Sequence, residues 1–182
     1  MTSRRYSRGF TLVELVTTLI IVGVLAAVAA PRFFTRSAFE GRAFVDQSRS
    51  LLRYAQKVAI AQNRSVFVRL NGSSVALCFD STCSAAAMLL AAPAGSNSGS
   101  NVTRAACVAT AVYQPQWACE GIPAGMTYTS PQALFYFDAS GQPYRNTDTV
   151  PVSTFTTPLT IAVTGDATPM SIVIEGATGY VH

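Results

Sequence analysis

Few residues in this chain have the chemistry to build a site. Cysteines stand at 78, 83, 107 and 119, and the single histidine is the last residue, His182. A structural zinc site draws four ligands from closely spaced Cys and His pairs. No Cys-x-x-Cys occurs and one imidazole is too few, so no metal is expected. An even set of cysteines in an exported segment reads instead as two disulfides. Four cysteines allow three connectivities. The expectation is local pairing, Cys78 with Cys83 and Cys107 with Cys119, across intervals too rich in small and polar residues to make a core. A Ser-His-Asp arrangement would have to recruit His182 from a chain end expected to be mobile. The acidic residues are scattered and no Gly-rich phosphate loop is present. The chain therefore reads as non-catalytic, with no cofactor.

Glu14 is the other informative group. From Phe10 to Ala30 there are 21 residues and one charge, Glu14. As a helix this run is ~31 Å long, enough to cross a bilayer core. Arg4, Arg5 and Arg8 precede it, which keeps the leader cytoplasmic and sends the rest of the chain across. A carboxylate inside a span costs ~2.5–3.5 kcal/mol on insertion scales, so it needs a partner or a route to the interface. A cut after Gly9 would create an α-amine on Phe10. That amine could pair with the carboxylate of a neighbouring copy and fix axial register, since a mismatched neighbour would leave both charges unpaired. Ordinary signal cleavage near Ala27, Ala29 and Ala30 is the competing reading.

The elements that must position these groups follow from composition and period. Charged residues are 12% of the 182, about half the ~25% usual for soluble domains. The hydrophobic share of 49% excludes a disordered chain. Residues 1–64 hold ten of the thirteen Lys and Arg and three of the nine Asp and Glu, a net +7, whereas residues 65–182 carry −3. Pro31 predicts a kink or local melting. Residues 31–64 then read as an amphipathic continuation of the helix. Phe33, Phe44, Leu51, Leu52, Ala55, Val58 and Ala59 fall within an arc of ~120°. Arg42, Arg49, Arg53, Lys57 and Arg64 form a nearly opposite stripe, expected to be solvated, and Gly41 is a potential interruption.

Residues 65–182 read as a β-rich head. Ser65 to Leu70 and Val75 to Phe79 flank an Asn71-Gly72-Ser73-Ser74 hairpin turn. Further strands are expected at Met126 to Thr129, Leu134 to Phe137, Leu159 to Val163 and Ser171 to Glu175. Residues 84–101 end in a Gly/Ser/Asn run expected to be mobile, and Cys107 to Cys119 bracket a second excursion that holds Trp117. Proline spacing excludes a second long helix. The fold class is α+β: one long helix against antiparallel sheet.

Arg8-Gly9-Phe10-Thr11-Leu12-Val13-Glu14-Leu15, followed by the apolar run and Pro31, resembles the processing site of type IV pilins and type II secretion pseudopilins. The resemblance implies a leader at 1–9, prepilin peptidase cleavage between Gly9 and Phe10, and N-methylation of Phe10. It implies a transmembrane and assembly helix at 10–30, with Glu14 as the docking carboxylate. Its implied setting is the inner membrane, single-pass with the head periplasmic, and then the filament, with other pilin subunits as partners. Loss of Arg4, Arg5 and Arg8 would leave a net side-chain charge near +1, so the basic balance is no argument for DNA.

The head resembles the FimT/GspH group of minor pilins through Leu51-Arg53-Tyr54-Ala55 and Ala59, Leu134-Phe135-Tyr136-Phe137-Asp138 with Gly141, and Thr178-Gly179-Tyr180. Pro31-Arg32-Phe33-Phe34, Phe39, Arg53-Tyr54-Ala55-Gln56-Lys57 and the Thr-Gly-Tyr-Val-His end look most like the minor pilins of mannose-sensitive haemagglutinin (MSHA) pili. The resemblance implies a type IV pilin-like fold and a non-catalytic role in pilus biogenesis; a GspH-type pseudopilin is the alternative. Some FimT proteins take up DNA through a C-terminal Gly-Arg-x-Arg motif. This chain ends Gly179-Tyr180-Val181-His182, which disfavours DNA as a partner.

Overall fold

The computed structural model describes residues 10–165 and 169–182; the side chains of residues 30–38 fall outside the description, as does the leader with Gly9. The chain divides into two units, residues 1–38 and 39–182. Helix α1 is assigned from Leu12–Gln62. Its assignment runs unbroken past Pro31 and Gly41, so neither the expected melting nor the interruption is seen; the Pro31 ring lies outside the described side chains. The helix stops at Asn63, whose φ of 49° is the left-handed C-cap geometry that Asn tolerates. Arg64 N–H closes the cap on Ala59 O at 3.2 Å.

In the head, α1 buries the face that its period predicts. Phe44, Val45, Leu51, Leu52, Ala55, Val58 and Ala59 are buried. Gly41 permits close packing rather than interruption, because a Cβ there would lie 2.5 Å from the Met126 methyl.

Ten strands form among the described residues: β1 Val66–Leu70, β2 Ser74–Cys78, β3 Val108–Ala109, β4 Val112–Tyr113, β5 Cys119–Gly121, β6 Thr127–Thr129, β7 Leu134–Phe137, β8 Pro143–Arg145, β9 Leu159–Thr164 and β10 Met170–Ile174. A six-residue helix, α2, covers Asn101–Ala106. The strands make a five-stranded sheet ordered β5-β2-β1-β7-β8, a three-stranded sheet ordered β10-β9-β6, and the β3-β4 hairpin. All pairings are antiparallel. The α+β class therefore stands.

Alternation places Val66, Val68 and Leu70 of β1, Phe135 and Phe137 of β7, Leu159, Ile161 and Val163 of β9, and Ile172 and Ile174 of β10 in one cluster with the helix face. Strand β2 departs from alternation, since all five of its residues are buried. One face holds Val75 and Leu77 in the main cluster. The other holds Ala76 and Cys78 in a second cluster with Cys83, Cys107, Trp117 and Cys119.

The structure pairs Cys78 with Cys83 and Cys107 with Cys119. The segment between them is tied down where mobility was expected. Leu90 N–H donates to Leu77 O, Ala118 N–H to Leu90 O, and Asn97 N–H to Pro115 O. Glu120 is buried, and its carboxylate accepts from Gln47 Nε2 of α1 at 2.8 Å, Thr103 Oγ1 of α2 at 2.6 Å and Ser98 Oγ. A buried carboxylate is tolerated when its lone pairs are filled in this way.

The carboxyl terminus also departs from expectation. His182 and Val173 exchange reciprocal backbone hydrogen bonds, so Tyr180 to His182 extend the β10 edge. Backbone pairing and a contact from α1 hold this end, and neither can be read from local composition.

Candidate assembly helix and the motif cluster on the head

Thr11 opens α1. Its Oγ1 accepts from Glu14 N–H at 3.2 Å, the N-cap half of a Thr-x-x-Glu capping box. Glu14 thus stands in the first turn, where the helix dipole favours a negative charge. The sequence itself carried this signal in the spacing of Thr11 and Glu14. One turn on, Thr17 Oγ1 donates to Val13 O at 2.9 Å and Thr18 Oγ1 to Leu15 O at 2.9 Å. These hydroxyls are satisfied inside the helix and need no solvent.

Leu12–Ala29 is apolar and long enough to cross a membrane by length and composition, with a mean hydropathy of 2.5, and none of it is buried. Phe10 is 76% exposed and Leu12 is 78% exposed. Apolar surface on this scale marks contact with a membrane or another protein. No Lys or Arg lies between Phe10 and Ala30, so no basic side chain of that stretch accompanies Glu14.

On the head, three separate motifs converge. Gln56 Nε2 donates to Gly141 O at 2.9 Å and to Thr178 O at 2.8 Å. Arg53 Nε donates to Val181 O at 2.9 Å. Gly179 has φ 69°, and a Cβ on it would sit 2.3 Å from Gly141 O. Gly141 has φ 83° and lies against Ile60 and Gln56. The Asp138 carboxylate shapes the turn before it, accepting from Ser140 N–H at 3.0 Å and Gln142 N–H at 2.9 Å. The helix run, the Asp138–Gly141 turn and the Thr178–Val181 end are therefore one structural joint.

Arg42, Arg53, Lys57 and Arg64 of the basic stripe are exposed, and Arg49 is half-buried. Arg49 pairs with Asp46 at 3.0 Å and donates to Ser171 O at 3.3 Å. Arg64 lies 3.7 Å over the Phe79 ring. The open groove of about 320 Å³ beside Arg42, Asp46, Arg49 and Met170 is thus edged by a guanidinium already engaged. One grouping with metal-ligand character occurs among the described residues, Cys78, Asp80 and Cys83. Its two sulfurs are bonded to each other and cannot ligate.

Residues 4–30 match the model of the prokaryotic N-terminal methylation motif. The chain thus carries the signature that joins a basic leader, Gly9-Phe10 and an apolar helix. A curated relative, the type IV narrow pilus major component PilA5 of Thermus thermophilus, is 35% identical over 60 residues, 33% of this chain. The match spans about half of that relative, 52% of its length. Two crystal forms of the Pseudomonas aeruginosa PAO1 type IV minor pilin FimU are similar in structure. One superposes with a TM-score of 0.48 at 17% identity, over 82% of this chain and 90% of that one. The other gives 0.45 at 15% identity, over 78% and 90%.

Proposed function

We propose that this chain is a minor pilin, a non-catalytic filament subunit. Prepilin peptidase cuts it between Gly9 and Phe10, and Phe10 is then N-methylated. Residues 10–30 hold it in the inner membrane with the head in the periplasm, and the same helix later packs among other pilin subunits. The new Phe10 amine of one copy and Glu14 of its neighbour neutralise each other in that bundle. The observation that carries the reading is the Gly9-Phe10-Thr11-Leu12-Val13-Glu14 motif at the start of an apolar helical stretch, Leu12–Ala29, of which no part is buried.

The finer assignment is to MSHA-type pili, with MshC as the protein most similar in Pro31-Arg32-Phe33-Phe34, Phe39 and the terminal Thr-Gly-Tyr-Val-His. A GspH-type pseudopilin of a type II secretion system would share the whole mechanism and differ in its partner subunits.

The test is the N-terminal mass of the chain recovered from host membranes. A chain starting at methylated Phe10 is the expected result. A chain starting near Pro31 would mean ordinary signal cleavage and would remove the assembly role of Glu14.

A further inference from the structure

The head contains two cores of different chemistry. The main cluster joins α1 to both large sheets with aliphatic and aromatic side chains and includes no cysteine. The second cluster lies on the outer face of β2 and has six buried members, of which four are the cysteines; Ala76 and Trp117 are the others. Leu89 and Tyr113 pack on its margin. The excursion 79–119 supplies Leu90 and Ala118 as buried members of the main cluster, with half-buried Phe79 packed against it. Apart from Trp117, this excursion has almost no fully buried apolar bulk of its own to offset the entropy of ordering some forty residues.

The cystines supply what is missing. Cys78 and Cys107 are 0% exposed and Cys83 and Cys119 are 1% exposed, so no reagent reaches their sulfurs once the excursion has docked. Glu120, whose hydrogen bonds tie the excursion to Gln47 of α1, directly follows Cys119. Its backbone stands opposite Val75 in the β2–β5 pairing.

We propose that the head matures in two separable steps, with oxidation between them. The helix, strands β2, β1, β7 and β8 and the three-stranded sheet fold in the reduced chain, while the excursion 79–119 stays undocked and β5 is not yet paired on β2. A disulfide donor then acts on the exposed thiols. At each pair one thiolate attacks the donor disulfide and forms a mixed disulfide. The second thiolate displaces the donor as a dithiol, so each cystine yields two protons and passes two electrons to one donor disulfide. Two donor equivalents complete the chain, Trp117 docks over β2, and the cystines are sealed.

Trp117 is the chain's single tryptophan, is 1% exposed, and donates from Nε1 to Leu77 O at 2.7 Å, so its emission reports the docked excursion alone. The experiment compares the full chain in detergent, refolded with all thiols reduced, before and after addition of oxidised glutathione. Reduced chain should emit as solvated indole and exchange the amides of Leu90, Asn97 and Ala118 at least a hundredfold faster. Leu52, Val68, Phe137, Ile161 and Ile172 should stay protected. Oxidised glutathione should restore both signals, and the refolded cystines should then resist dithiothreitol without denaturant. The paired variants C78A/C83A and C107A/C119A keep apolar side chains in the cluster and should each reproduce the loss of Trp117 burial. Buried Trp117 emission in the reduced chain would overturn the proposal. So would loss of protection at both clusters together.

Discussion

Two stretches of one helix show how burial, rather than propensity, decides what an apolar residue does. Residues 12–29 and 44–59 are both apolar-rich and both helical. Leu19 is 64% exposed, whereas Leu52 is fully buried. The first stretch carries one charge, Glu14, and its surface is exposed on every side. The second is apolar on one face and packs that face on β1, β7 and β9. None of the first stretch is buried, whereas the second supplies seven buried side chains to the core of the head.

The sharpest way to break this comparison is to truncate one leucine in each stretch. Leu52→Ala should cost the head about 2–5 kcal/mol, the range for a fully buried leucine. Leu19→Ala should leave the melting temperature of the head unchanged. Thermal unfolding of both variants in the same detergent decides it, and equal losses would show that the two stretches share one stabilising core.

Next in size is the joint on the far side of α1. Gly179→Ala places a Cβ against Gly141 O at a positive φ. The left-handed backbone and the clash together should cost about 3 kcal/mol. Gln56→Ala removes the two hydrogen bonds to Gly141 O and Thr178 O and should cost about 1–2 kcal/mol. Chemical denaturation reads both. Faster amide exchange at Val181 and His182 in the Gln56 variant would confirm that the helix holds the terminus.

The smallest effect is local and depends on pH. Burial pushes the Asp148 carboxyl up, but hydrogen bonds from Thr154 Oγ1, Thr154 N–H and Arg145 N–H, with the Arg145 charge, hold it below the ordinary 3.8. A depressed carboxylate stabilises the fold above its unfolded value and loses that contribution as the pH falls through its folded value. The loop 145–154 should therefore loosen progressively as the pH falls below 3.8. Asp148→Asn should loosen it at neutral pH, visible as faster exchange of the Arg145 and Thr154 amides. Unchanged exchange would mean that these bonds carry no net stability.

Much of the fold is legible residue by residue. The 3.6-residue period from Phe44 to Ala59 gives the buried face, because a helix has only one side to offer a sheet. Asn71-Gly72 gives the first hairpin. Asn71 Oδ1 accepts from Ser73 N–H at 3.1 Å and Ser74 N–H at 2.9 Å, a contact within one turn. Strands β5 and β8 were not legible. Cys119-Glu120-Gly121 and Pro143-Tyr144-Arg145 have little strand propensity, and they pair only because β2 and β7 present open edges. Likewise, Glu120 looks like any surface acid until Gln47, Ser98 and Thr103 close around it.

The sequence alone carried the N-terminal methylation motif over residues 4–30, the single charge Glu14 in a membrane-length apolar run, the α+β class and the expectation of local cysteine pairing. Each of these rests on local contacts or patterns, where spacing and side-chain type suffice. Only the tertiary structure decided that Gly41, Gly141 and Gly179 are points of close approach, that Arg53 of α1 holds Val181 O, and that Trp117 and the two cystines form a core of their own. Those outcomes join residues dozens of positions apart, and which of many such pairings forms is set by the packing of the whole head.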